Sequence, residues 1–541
     1  MRLLIQPVTV LSWRVEKRIK VMDALVLLIL LSPLAAALLI GGGYFFGFLD
    51  GEESEQITAE LANWAITLSF LLSLMLLGAH SFGKTVGTFD IGRWLSSDTL
   101  TIRINFITTG FNLWLAALFA LLLAIVSNFS TNYLHREAGF HRFFFILSLF
   151  AFAMLLLVLS GNAVGTLVGW ELAGLCSYWL IAYSYQRAIA VTNATRVLVT
   201  NHIGDACFIL AIGLSYAWTG TLNWHDFNIA VADLPPSQIT GLALCFALAA
   251  FVKSAQLPFT PWLARAMEGP TPSSAIFYGA VMIHAGVYLV CLLRPLFEHT
   301  AFVMAILAVV GLLTAVYSFF VGLVQTDVKS SLVYAITGQL GLLFLECGLG
   351  FWQLAKWHLC AHAVVRAYQL LSAPNLMHAL HGNAIKPISP KIASQRWLYT
   401  ASLQRFWLEQ ITDWALVKPI RRLAHDVCYF DDYIIERVMG SPNPALRKVS
   451  SLMQMEESKI GARLNNNADE FAQGSGLAGK LTEWTANILH WFEQRFVLQG
   501  VGNGTVHYGR ALGHLANKVE LLILRPRYLV LFVFITLLVA F

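Results

Sequence analysis

The stretch FVKSAQLPFTPWLARAMEGPTPSSAIFYGAVMIHAGVYLV, residues 251–290, decides the fold. Lys253 sits inside an apolar run, and Pro258 interrupts that run five residues later. An ammonium in hydrocarbon is costly unless paired or hydrated, so intramembrane lysines mark ion or proton paths. A helix broken at membrane depth is tolerated only where protein buries it or it lines a water-filled cavity. Both features point to a transporter interior, and a simple anchor needs neither. A blander reading stays open: Lys253 snorkels to an interface and Pro258 merely ends the helix. LPFTPWL (257–263) and GPTP (269–272) also suit a re-entrant turn.

Composition agrees with a membrane setting. The 541 residues are 57% hydrophobic and only 12% charged, with mean hydropathy +0.65; a soluble domain is about 25% charged. Apolar runs at 24–48, 60–80, 106–128, 142–160, 162–183, 197–219, 238–256, 273–294, 301–323, 330–350 and 354–381 each approach the ~20 residues a bilayer needs. The expected class is an all-α polytopic membrane protein with about 11–12 transmembrane helices. Residues 88–107 alternate and predict a short hairpin outside the bilayer. Residues 1–23 read as a basic amphipathic segment lying in the interface, with no cleavable signal. Residues 390–520 mix charges with Trp, Phe and Leu at helical spacing and read as surface helices; 521–541 read as a tilted hydrophobic helix.

The net charge of +5 is small for this length and implies no nucleic-acid partner. Basic segments near Arg136, Arg187, Lys329 and Lys386 face the cytoplasm by the positive-inside rule. That places 222–238 outside and the region after 381 in the cytoplasm, and leaves the orientation of the first helix open. The seven cysteines are scattered singly without a CxxC pair, so neither a disulfide framework nor a zinc knuckle is indicated. No nucleotide-binding loop, flavin motif or hydrolase elbow occurs, so the chain does not read as an enzyme by itself.

The titratable residues inside apolar runs are the candidate carriers. Glu171 lies in LVGWELAGLCSYWLIAYSY (167–185); a carboxylate beside the Lys253 ammonium holds its proton, and separation of the two releases it. The alternative is a helix-end carboxylate just past the interface. His202 and Asp205 are three apart on one helix face, as a relay or as a packing hydrogen bond. Asp327 and Lys329 open a helix, where Asp327 also suits a cap. His358, His362 and Arg366 recur at spacings of four and share a face. A His pair at i,i+4 can bind zinc, but no HExxH surrounds it and a third ligand is lacking, so no metal site is assigned. A row of His and Arg that relays protons fits better. His284, in MIHAG (282–286), is a further buried titratable candidate.

These residues resemble the antiporter-like membrane subunits of respiratory complex I and of multisubunit sodium/proton antiporters. The resemblance covers about 88–381, carried by REAGFHRFFFILSLFAFAMLLLVLSGN (136–162), GWELAGLCSYWLI (169–181), KSAQLPFTPWLARAMEGPTPSSA (253–275) and HLCAHAVVRAYQLLSAPNLMHAL (358–380). It implies inverted helix repeats: 24–141 as three leading transmembrane helices, 142–294 as the first antiporter-like repeat and 301–381 as a truncated second. It assigns Glu171 as the acidic partner, Lys253 as the broken-helix lysine, His358 and His362 as central histidines, and Lys329 as a helix-start lysine. This chain departs from the pattern at His202 (usually Arg), Tyr278 (usually His) and Arg366 (usually Lys). LEQITDWALVKPIRRLAHDVCYFDDYIIERV (408–438) resembles the tail of the complex I subunit, yet follows soon after the eleventh run.

That shortened plan is most similar to the membrane subunit of the DAB inorganic-carbon accumulation complex of autotrophic bacteria. The resemblance implies a proton- or cation-conducting subunit in the bacterial inner membrane. Its partner would be a large zinc-containing, carbonic-anhydrase-like subunit that hydrates carbon dioxide to bicarbonate and docks on 390–520. No cofactor is expected in this chain. The alternative is a subunit of a respiratory NADH dehydrogenase or multisubunit sodium/proton antiporter; a third reading is a non-conducting platform.

Overall fold

In hydrocarbon no water completes the backbone N–H and C=O groups, so each spanning segment must close its own hydrogen bonds as a helix. The chain follows this rule. The computed structural model describes residues 7–83, 87–96, 101–108, 110–379 and 394–430, with side chains described from Ala24 onward except at 96, 374–379 and 429. Helix α1 (Pro7–Phe45) contains the apolar span Ala24–Phe45. After α2 (Glu55–Ser81) comes the expected hairpin, β1 (Thr88–Ser96) pairing antiparallel with β2 (Thr101–Ile107). Four long helices follow: α3 (Gly110–Tyr133), α4 (Phe140–Leu159), α5 (Ala163–Ile181) and α6 (Ala188–Thr219). The short α7 (Trp224–Ala230) precedes α8 (Pro236–Lys253), and α9 (Pro261–Arg265) follows the unwound stretch after Lys253.

The next span, Thr271–Leu292, is itself interrupted. It comprises α10 (Thr271–Ser274), a π-helical turn at Ala275–Ala280, a 3₁₀ turn at Met282–His284 and α11 (Ala285–Leu292). The chain continues through α12 (Arg294–Glu298), α13 (Ala301–Leu323), α14 (Val328–Gly348), α15 (Trp352–Ala379), α16 (Arg396–Leu403) and α17 (Leu408–Thr412).

Ten helices among the described residues are long and apolar enough to cross a membrane. They coincide with ten of the eleven expected runs, and the all-α polytopic class holds. The eleventh run forms α15, the least apolar of the long helices because Lys356, His358, His362 and Arg366 interrupt it. It packs against α14, α3 and the π-helical turn. Burial shows what lies at the centre: 94% of the apolar window of Thr271–Leu292 is buried, against 33% in α2 and α13, which present more surface to lipid.

Helices α13 and α14 touch backbone to backbone. A Cβ at Gly311 would lie 2.4 Å from the Gly341 carbonyl oxygen, and one at Gly341 would lie 2.5 Å from that of Gly311. Small residues permit such contact, which replaces the hydrophobic drive that lipid cannot supply.

The chain divides into two compact units, 1–413 and 414–541. In the first, Glu409 of α17 accepts from Arg265 of α9 and pairs with Arg196 of α6 at 3.4 Å and with Arg405 at 3.6 Å; Arg196 also donates to Asp413 at 2.6 Å. In the second, α18 (Lys418–Phe430) exposes Leu423 and Val427. The expectations for 431–520 and 521–541 lie outside the described residues.

Candidate functional site

Helix α8 ends at Lys253 because the backbone turns out of register there. Ala255 adopts φ +50°, Leu257–Pro258 is cis, and Leu257 N donates to Thr314 Oγ1 at 3.0 Å. The Val252 carbonyl accepts from Ala255 N at 3.2 Å and from Trp262 Nε1 at 2.9 Å, and Ser254 Oγ donates to the Ile283 carbonyl at 2.7 Å. Helix α11 packs so closely here that a Cβ at Gly286 would lie 2.4 Å from both Ala250 O and Ser254 Oγ. The two interruptions, after Lys253 and before His284, therefore face each other at one level of the bundle.

Lys253 is 1% exposed. Its Nζ donates to the Trp170 carbonyl at 3.0 Å and lies 5.0 Å from the centroid of the Trp170 ring. Trp170 Nε1 in turn donates to Asp205 Oδ1 at 2.8 Å. Glu171 follows Trp170 in sequence, and the ligand atoms of Glu171, His202 and Asp205 all lie within 4.8 Å of one another. Asp205 is buried, Glu171 half-buried and His202 exposed. Among the described residues no carboxylate comes within salt-bridge distance of Lys253; the Trp170 indole contacts both the cation and Asp205. Cation–π contact and the carbonyl bond replace part of the lysine's hydration.

A second row runs along α15. Arg366 Nε donates to His362 Nε2 at 3.2 Å, and His362 Nδ1 meets His284 Nε2 at 2.8 Å. Because Arg366 can only donate, a neutral His362 that accepts from it carries its proton on Nδ1 and donates it in the hydrogen bond to His284 Nε2. His284 then bears its own proton on Nδ1, a fully buried atom with no protein partner. Gln256 Oε1, next to the Lys253 break, is a second such atom. Buried polar groups of this kind are the positions at which interior water is held. His358, one turn before His362, pairs with Glu346 Oε1 at 2.8 Å and Gln339 Oε1 at 3.0 Å.

The remaining candidates stand apart. Asp327 is exposed and accepts from Ser330 N at 2.8 Å, the geometry of a helix cap; Lys329, the second residue of α14, is half-buried. Tyr278, buried in the π-helical turn, shares a hydrogen bond of 3.2 Å with Ser177 of α5. Arg366 also donates to Gln369 Oε1 at 2.6 Å and to the Ala335 carbonyl at 3.0 Å. The sequence reading passed over Trp170, Glu346 and Gln339. A tryptophan directly before Glu171 was visible, but its contact with Lys253 depends on how α5 packs on α8.

Known proteins of similar sequence and fold share one family. The family described as NADH:quinone oxidoreductase/Mrp antiporter, TM, matches residues 160–392, a range that holds Glu171, Lys253 and the histidine row. NADH-ubiquinone oxidoreductase chain 5 of Metridium senile is 34% identical over 416 residues, covering 74% of this chain and 67% of that protein. NADH-quinone oxidoreductase subunit L of Campylobacter jejuni subsp. jejuni is 33% identical over 360 residues, covering 66% and 58%. The chain thus spans between about half and two thirds of the length of such relatives. Among solved structures, the Mrp complex from Dietzia sp. DQ12-45-1b matches with TM-score 0.58 at 26% identity, covering 67% of this chain and 38% of that one. An archaeal membrane-bound sulfane sulfur reductase shares the fold, with TM-score 0.55 at 21% identity over 71% of this chain and 80% of that one. Taken with the buried lysine, the interrupted helices and the histidine row, these matches show that the chain belongs to the NADH:quinone oxidoreductase/Mrp antiporter transmembrane family.

Proposed function

We propose that this chain is a proton-translocating subunit of a multisubunit membrane complex of the complex I/Mrp antiporter type. One observation carries the reading: the enclosed Lys253 sits at a helix break, one indole away from Asp205 and its neighbour Glu171. A lysine so placed holds a proton while the carboxylates are near and yields it when the broken ends shift. The next acceptors are across the break, at His284 and then His362 and His358. Arg366 hardly releases a proton, so it acts as a fixed charge that sets the His362 tautomer. Lys329, with Asp327 capping its helix, would serve the cytoplasmic end of the path. One proton crossing 100 mV releases about 2.3 kcal/mol, enough to drive a coupled step in a partner. The test is proton uptake by proteoliposomes holding the purified complex under an imposed potential. A flux that is dissipated by an uncoupler supports the reading; no flux above lipid alone removes it.

A second reading is the membrane subunit of an energy-coupled inorganic-carbon uptake complex, with carbon dioxide hydration in a zinc-bearing partner. It is favoured by the short interval between α15 and the tail-like segment that opens with Leu408. The named relatives support the respiratory or antiporter complex better. Affinity purification of the full chain from its own membranes separates the two. Recovery of quinone-reductase or antiporter subunits favours the first complex, and recovery of one large zinc protein favours the second.

A further inference from the structure

We propose that Glu346 is a proton-carrying residue at the end of the histidine row. The inference rests on the proton-conducting reading above. Glu346 lies two residues before the end of α14, and α15 begins four residues after that end. Trp352 Nε1 donates to Glu298 Oε1 at 2.8 Å, which fixes this end of α15 beside α12. The Glu346–His358 pair therefore stands toward the end of the bundle that carries the 293–300 and 349–351 turns. His362 and Arg366 follow at one-turn intervals toward the other end, about 12 Å further along the axis for Arg366.

The hydrogen bonds of the pair identify what it does. Both His358 nitrogens are held, Nδ1 by Glu346 Oε1 and Nε2 by the Gln339 side-chain amide, whose oxygen accepts from an imidazole carrying two protons and whose NH2, after a half-turn of the amide, donates to one carrying a single proton; the pair therefore holds His358 in either state. Glu346 uses one oxygen for this contact, while its Oε2 is buried with no protein partner. A carboxylate that served only to orient His358 would need one oxygen and gain nothing by burying the other. The pair is neither sealed nor open, with side chains 17% and 20% exposed.

The step balances as one proton in and one out. The Nδ1 proton of His358 passes along the 2.8 Å bond to Glu346. This leaves neutral His358, still donating from Nε2 to Gln339, beside a carboxylic acid. The acid releases its proton at the bundle end and returns to carboxylate, and His358 is recharged from the side of His362, whose ring centroid is 6.2 Å away.

The test compares E346Q, E346D and K253M in proteoliposomes of the complex built on the full chain. A glutamine keeps an acceptor for His358 Nδ1 but cannot take the proton. The expected result is at least a tenfold loss of flux in E346Q with partial recovery in E346D. Wild-type flux in E346Q, with flux lost in K253M, overturns the role of Glu346 and leaves the conducting reading in place; wild-type flux in both overturns the reading itself. If E346Q does not assemble, dicyclohexylcarbodiimide treatment of the wild-type complex decides, because this reagent adds to protonated carboxyls in membranes. An adduct on Glu346 by mass spectrometry is expected; labelling of Glu171 without Glu346 overturns the proposal.

Discussion

Lys253 and Asp205 meet through a single side chain: Nζ lies 5.0 Å from the Trp170 ring centroid, and the indole N–H of that ring donates to Asp205 Oδ1 at 2.8 Å. The cation and the carboxylate thus influence each other without touching. A direct ion pair would favour the charged forms of both groups more strongly. A shared aromatic contact weakens that preference while keeping both groups out of lipid.

Trp170→Phe tests the indole. The ring face toward Lys253 survives, but Asp205 Oδ1 loses its donor, a loss of about 1–3 kcal/mol for a buried acceptor. The expected outcome is proton flux reduced several-fold with assembly retained, read by flux and by thermal stability of the detergent-solubilised complex. Unchanged flux would show that the indole only fills space.

Gly341→Val tests the α13–α14 contact. No room exists for a side chain beside the Gly311 carbonyl, and overpacking of this kind costs about 1–3 kcal/mol. The melting temperature of the solubilised protein should fall by several degrees, while Gly42→Val, where an added Cβ meets nothing within 4 Å, should leave it unchanged.

Much of the site could be read from sequence because it depends on local spacing. The i,i+4 steps from His358 to Arg366 put three groups on one face whatever the fold, and the Lys253–Pro258 interval announces a break. Asp327 could be read as a cap for the same reason. Trp170 and Glu346 could not, since their partners are 83 and 12 residues away and are met only through helix packing. The second interruption, at 275–284, carries no proline or glycine signal strong enough to separate it from an ordinary helix; Gly279 alone is tolerated inside helices. Ten spans were legible from apolar length alone, and α15 was legible as a helix from the same pattern.

Glu409→Ala tests the arginine cluster. Arg405, Phe406 and Trp407 adopt φ of +52°, +54° and +50° in succession. Non-glycine residues in this region are strained and persist only when their surroundings hold them. Removing the carboxylate shared by Arg196, Arg265 and Arg405 should release the turn and expose Arg405 to trypsin. Limited proteolysis followed by mass spectrometry reads the cleavage; a variant as resistant as wild type would show that packing of Phe406 against Tyr317 is sufficient.

The most direct test of the central claim is proton flux through the reconstituted complex carrying Lys253→Met, which keeps the length and apolar stem but removes the exchangeable proton. The account predicts that flux driven by an imposed potential falls to the level of protein-free liposomes while the complex still assembles. Flux within twofold of wild type in that variant would contradict it.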